Sequence, residues 1–373
     1  MRKILSAFLI VFLFVSFAFA EEDLKTLQAQ AEQGNAEAQH KLGVKYHDGK
    51  GVKKDYEKAR EWYLKAIKQN FPKSFDNLGW MYQNGQGVEK NLSEALKYYQ
   101  KGAELGVPRS LNQMGYFYKN GLGGLEKNYE KAIDFYTRAA EKGNTTSMRN
   151  LAYMYADGDG VQQDYKKALE WFSKAAEKND NEAINNIGYM YAEGKGVEVN
   201  YEKAAEFYTR AAELGNAVSM NNLGWLYAEG KGVKKDYQKA IEWFNKGIEK
   251  NYRGSIRSLA SMYLHGQGVN VDYKKAFELY SKAAEMGDLS AIHQIGWMYQ
   301  NGYGVSRNNK KALEFYKKSA ELGHAVSQFQ LGWFYEKGWY GVQKNPKKAR
   351  EWYKKSAAQG FEEAEEALKR LKK

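Results

Sequence analysis

The sequence predicts an all-α solenoid, a stack of helix-turn-helix units. Three observations carry that prediction: a repeat of about 36 residues, helical spacing of apolar residues inside each repeat, and glycines at fixed places between the helices. The string Leu42-Gly43-x-x-Tyr46-x-x-Gly49-x-Gly51-Val52 returns as Leu78-Gly79-x-x-Tyr82-x-x-Gly85-x-Gly87-Val88. Nine copies follow one another as residues 35–70, 71–106, 107–143, 144–179, 180–215, 216–251, 252–287, 288–323 and 324–360. The extra residue of the third and ninth copies falls between recurring glycines, in Gly121-Leu122-Gly123-Gly124-Leu125 and Gly338-Trp339-Tyr340-Gly341-Val342, where a loop tolerates insertion. One hairpin cannot bury its aromatic stripe alone, but stacked hairpins can. The 373 residues, long enough for two or three domains, therefore read as one elongated domain.

The elements follow in order. Residues 1–20 have the form of a secretory signal peptide: Arg2-Lys3, an apolar run from Ile4 to Phe19, and Ala18-Phe19-Ala20 before Glu21. The run is shorter than the roughly 20 residues of a membrane span, and no other stretch is long and apolar enough. Residues 21–34 read as a capping helix. In each copy a first helix places an alanine or small residue, the Leu and the Tyr on one face, as Ala38, Leu42 and Tyr46 do. The glycine three residues after that tyrosine ends the helix in the left-handed region. An Asp or Asn then suits the N-cap of the second helix: Asp55, Asn91, Asn128, Asp164, Asn200, Asp236, Asp272, Asn308 and Asn345. Pro346 at the following position supports that cap. The second helix carries Ala59, Trp62-Tyr63 and Ala66 or their equivalents. The tyrosine before the glycine, such as Tyr227, and second-helix aromatics such as Trp243 read as core. The small residue after each Leu, such as Gly43, Ala152 or Ala260, lets the two helices approach. Residues 361–373 read as a C-terminal capping helix.

Composition narrows the function classes. Cysteine is absent, which removes disulfides, thiol nucleophiles, cysteine-ligated metals and a lipoprotein anchor. The net charge of +12 becomes +10 without Arg2 and Lys3, a mild excess over so long a chain. Export argues against nucleic acid as a target. The five histidines, His40, His47, His265, His293 and His324, are scattered, and no metal-binding or nucleophile motif appears. His265 and His293 stand in adjacent copies and could approach each other.

At this point the pattern is specific. Copy six reads Leu223-Gly224-Trp225-Leu226-Tyr227, Gly230-Lys231-Gly232-Val233, Asp236, Lys239-Ala240, Trp243-Phe244 and Lys246. It closely resembles the Sel-1-like repeat, a relative of the tetratricopeptide repeat, over nearly the whole chain after residue 20. The resemblance implies a right-handed α/α superhelix and a role as an exported adaptor or scaffold, periplasmic or secreted. A cysteine-rich exported branch of the family is linked to β-lactam binding. The missing cysteine separates this chain from that branch, leaving β-lactam hydrolysis as a remote third reading.

A ligand face follows from helix geometry. The residue after the small one lies opposite the buried face, since a helix turns about 100° per residue. Down the copies it reads Val44, Trp80, Tyr116, Tyr153, Tyr189, Trp225, Ser261, Trp297 and Trp333. Aromatic residues there stand where a soluble helix is usually polar. Asn112, Asn185 and Asn221, two before the Leu, flank the same face. The expectation is a concave groove with an aromatic ladder and amides beside it. Aromatic faces stack on apolar side chains or sugar rings, and amides bond to peptide backbone or hydroxyls. The leading reading is a monomeric, non-catalytic scaffold, without cofactor or metal, that binds a protein or peptide. The second is a peptidoglycan or other envelope-glycan binder. Packing of the same aromatics between repeats is the competing use of the ladder.

Overall fold

The computed structural model describes residues 24–371, and all regular structure in them is α-helix. The signal-peptide segment lies outside the described residues. Contacts divide the chain into two compact units, one ending at Lys178 and one beginning at Asn179. Each unit is a run of repeats. The division is natural in a solenoid, where each repeat packs on its neighbours alone.

The first unit holds α1 (24–32), α2 (Ala36–Asp48), α3 (Tyr56–Ile67), α4 (Pro72–Asn84), α5 (Leu92–Glu104), α6 (Pro108–Asn120), α7 (Tyr129–Glu141), α8 (Thr145–Asp157) and α9 (Tyr165–Ala176). The second holds α10 (Asn181–Glu193), α11 (Tyr201–Glu213), α12 (Ala217–Glu229), α13 (Tyr237–Glu249), α14 (Arg253–His265), α15 (Tyr273–Glu285), α16 (Leu289–Asn301), α17 (Asn309–Glu321), α18 (Ala325–Lys337), α19 (Pro346–Ala357) and α20 (Glu362–Arg370). From α2 onward even-numbered helices are first helices and odd-numbered ones second helices, with α20 as the C-terminal addition.

Capping chemistry sets the helix ends. Each second helix starts on its expected Asp or Asn; in α3 the Asp55 side chain accepts from the Lys58 amide at 3.0 Å. Most first helices start on Asn, Asp or His. Phe71 and Val107 provide no side-chain cap, and there Pro72 and Pro108 take the first helical position. All three prolines of the chain therefore occupy that position, where a fixed φ and a missing N–H cost nothing. The two loop glycines do different work. Gly85 ends α4 at φ 70°. Gly87 also has positive φ, and a Cβ on it would stand 2.6 Å from Tyr56 Cβ of the preceding repeat. The second glycine is thus where one repeat rests on its neighbour.

The core is narrower than the sequence suggests. The second aromatic of each second-helix pair is buried, as Tyr63, Tyr99 and Phe244 are. Gly79 leaves room for it: a Cβ there would lie 2.6 Å from Tyr99 Cε1. The first aromatic of the pair and the first-helix tyrosine are half-buried, contrary to the core reading of Trp243 and Tyr227. They lie against each other, as Tyr118 stacks on Phe135 at 5.6 Å and Tyr191 on Phe207 at 5.7 Å. Lysines cover their outer faces. Lys246 Nζ sits 3.9 Å from the Trp243 ring centre and Lys239 Nζ 5.4 Å from that of Tyr227. A lysine stem shields the ring while its ammonium stays in water.

Candidate functional site

The ladder residues stand on the first helices, on the side away from the Leu and Tyr. The first unit carries Trp80, Tyr116 and Tyr153; the second carries Tyr189, Trp225, Trp297 and Trp333. Tyr116 and Tyr189 are 41 % and 40 % exposed, and the other five are half-buried. Each ring rests partly on its own repeat. Tyr153 meets Phe172 edge-on at 5.3 Å, and Trp225 meets Phe244 at 5.7 Å. Some also reach the next repeat: Trp225 Nε1 donates to Ser258 Oγ at 2.9 Å, and the Arg109 guanidinium lies 5.2 Å from the Trp80 ring centre. The aromatics therefore serve packing and keep accessible surface together.

Loop residues extend the ladder. Lys195 Nζ donates to the Tyr189 hydroxyl at 3.1 Å. Tyr303 lies against Trp297 at 5.0 Å, and the inserted Trp339 meets Trp333 edge-on at 4.4 Å. Tyr340, at φ 59°, turns onto Phe334. The inserted Trp339-Tyr340 pair, without a role in the repeat pattern, thus folds back on α18. Its sequence signal was the aromatic character of an insertion where the other loops are mostly polar.

The amides stand in a different place. Asn112 and Asn221 are buried and Asn185 is half-buried. Asn112 Oδ1 accepts from Ser147 Oγ at 2.8 Å and from Asn150 Nδ2 at 3.0 Å. Asn185 Oδ1 accepts from Ser219 Oγ and Asn221 Oδ1 from Ser258 Oγ, both at 2.8 Å. Expected beside a ligand, these three amides lie in the joint between one first helix and the next. His40, Asp76 and His293 use the same position toward Ser74, Ser110 and Ser327. The cause is geometric: two residues before the Leu, the side chain points along the stack and not away from it. In the joint between repeats six and seven Asn221 has turned to Ser258, and the buried Ser255 Oγ makes no hydrogen bond among the described residues.

The joints also hold buried ionisable groups. Burial raises the Asp76 carboxyl, while Arg109 Nε, 3.2 Å away, opposes that shift. Burial lowers the His40 and His293 rings to about 4, so both are neutral at pH 7. His293 faces His324 at 5.4 Å and not His265, which bonds back to Ser261 in its own helix. No group of three or more His, Cys, Asp or Glu among the described residues is placed to hold a metal ion. No helix among them is long and apolar enough to cross a membrane.

Comparison with known proteins matches this pattern. A family model described as the Sel1 repeat fits residues 36–71, 76–107, 108–144, 145–180, 181–216, 217–252, 255–288, 289–324 and 325–361. The crystal structure of a protective antigen present in uropathogenic Escherichia coli strains, displaying an SLR fold, is similar at 31 % identity and a TM-score of 0.62. The match covers 92 % of this chain and 81 % of that one. A Sel1 repeat protein from Oxalobacter formigenes is 38 % identical with a TM-score of 0.56, over 58 % of this chain and 89 % of that one. The ERAD-associated E3 ubiquitin-protein ligase component HRD3A of Arabidopsis thaliana is 40 % identical over 57 residues, 15 % of this chain and 8 % of that protein. The chain thus spans a small part of the length of this plant relative.

Proposed function

The chain belongs to the Sel1 repeat family, and from that premise we propose that it is an exported, non-catalytic scaffold that holds a protein or peptide along its ladder faces. The observation that carries the reading is the half-exposed series Trp80, Tyr116, Tyr153, Tyr189, Trp225, Trp297 and Trp333 on seven of the nine first helices. Seven large rings in partial contact with water are an unneeded cost for a repeat that already has a buried ring in each second helix. An extended chain laid across the first helices meets a ring in three of the four repeats of the first unit and in four of the five repeats of the second. Export rests on residues 1–20, and N-terminal sequencing of the cellular protein is expected to begin at Glu21.

The test is capture of a cross-linked partner from the organism's own envelope by the mature protein and by the double variant Tyr189→Ala/Trp225→Ala. Loss of capture with helicity and melting temperature held supports the reading. Capture unchanged by the double variant overturns it. Retention on purified murein, lost in the same variant, would instead assign the face to a glycan.

A further inference from the structure

The ladder has a gap in repeat one, where Val44 stands in the place of a ring, and the space of that ring is left open. A cavity of about 510 Å³ opens there, within the roughly 300–1,000 Å³ range of small-ligand pockets. His40, Val44, Tyr63, Asn77 and Trp80 line it. A second cavity of about 630 Å³ shares His40, Val44 and Lys73 with the first and reaches Lys45 and Phe71. His40 joins the two linings: its ring lies 5.0 Å from Phe71 of the second cavity and 5.7 Å from Tyr63 of the first. The Tyr63 hydroxyl is hydrogen-bonded to Asn77.

The charges around the two cavities are not balanced evenly. Arg109 is paired with Asp76 at 3.2 Å, Lys41 with Glu37 at 2.8 Å, and Lys50 with Asp48 at 2.8 Å. Lys73, which lines both cavities, and Lys45, which lines the second, form no salt bridge among the described residues. The walls thus offer ring faces inside and an unneutralised ammonium at the mouth.

We propose that the gap at Val44 is a side-chain pocket for an aromatic residue of the bound peptide, with an acidic residue next to it held by Lys73. The ligand's ring completes the ladder where the chain leaves a place vacant. This rests on the reading of the ladder as a peptide face and adds what the first repeat selects. A ring gains apolar burial and edge-to-face contacts with Trp80 and His40. The flanking carboxylate gains a partner near the surface, a weaker and salt-screened contribution.

The probe is an acetylated and amidated hexapeptide, Ser-Gly-Phe-Asp-Gly-Ser, titrated into the full mature protein while the methyl resonances of Val107, which also lines the first cavity, are followed. Saturable shifts are expected. Replacing the peptide's Phe by Ala weakens binding tenfold or more; replacing its Asp by Asn, or using Lys73→Gln, weakens it a few-fold, less so at high salt. Val44→Trp installs the residue other repeats carry, so folding is preserved, and it is expected to weaken binding at least tenfold. Peptide binding to Val44→Trp as tight as to the natural chain overturns the proposal, and so does a titration with no shift at any accessible peptide concentration. Tyr189→Ala/Trp225→Ala lies outside this pocket and leaves the hexapeptide result unchanged. Failure of the ladder reading is therefore seen in partner capture, and failure of the pocket in the hexapeptide titration.

Discussion

Repeats one and seven both lack the ladder ring, and they solve the loss in opposite ways. In repeat seven the substitute is Ser261. The Tyr280 hydroxyl of the same repeat is hydrogen-bonded to it, and His265 bonds to its hydroxyl and carbonyl. Trp225 of the preceding repeat reaches across to Ser258. The polar substitute recruits polar neighbours. In repeat one the substitute is Val44, whose side chain offers no hydrogen bond, and a cavity lies against it. A small residue makes a pocket only when nothing adjacent has a reason to fill it.

The largest expected effect tests how open the first gap is. Burial holds His40 and His293 well below the usual histidine value, so their stabilisation is present above pH 6.5 and is lost as pH falls toward 4. His293 sits among Tyr316, His324 and Ser327, with the Arg257–Asp288 ion pair close to His324. Full protonation there costs up to about 3 kcal/mol. Amide exchange at pH 7 and pH 5 is expected to show residues 288–323 loosening more than 35–70, because water enters beside His40. His293→Asn, the residue of other joints, removes the acid sensitivity of repeat eight. Equal loosening of both segments would break the comparison.

Next comes the ring itself. Ser261→Trp must displace the Tyr280 hydrogen bond and is expected to destabilise by about 2 kcal/mol. Val44→Trp is expected to change stability by less than about 0.5 kcal/mol. Denaturant melts of the two variants separate a filled vacancy from an open one. Ser258→Ala removes the hydroxyl shared by Trp225 and Asn221 and is expected to cost about 1.5 kcal/mol, with a red shift and loss of Trp225 fluorescence polarisation. The last comparison is a control, with the smallest expected difference between the two repeats: Asp55→Ala and Asp272→Ala remove equivalent N-caps at 3.0 and 2.8 Å and are each expected to cost about 1 kcal/mol. A marked inequality between them would mean that the two repeats differ in more than their ladder residue.

The helices and their ends were legible because capping and glycine conformations are local. Asp55, Gly49 and Pro346 act through their own few neighbours, and short spacing displays them directly. The joint was less legible. Asn112 and Ser147 lie 35 residues apart, and an amide beside an aromatic row reads equally well as a ligand contact until the direction of its side chain is known. The half-burial of Tyr227 and Trp243 was hidden for a different reason: the lysines that cover them are indistinguishable by composition from solvated surface charge. Val44 appears in the sequence as a missing ring. That a cavity lies against it depends on how His40, Tyr63, Asn77 and Trp80 pack around it, and no spacing rule encodes that.

The joint has a consequence for how such a chain changes length. In five joints a polar side chain (His40, Asp76, Asn112, Asn185 or His293) meets a buried serine of the next first helix, while Ala183 and Ala291 hold the serine's place in two others. With residues 71–106 removed, His40 would meet Ser110 in place of Ser74, and donor and acceptor would still match. Length is then a digital quantity: the chain gains or loses whole repeats at a junction whose chemistry already exists, and intermediate lengths find no such junction.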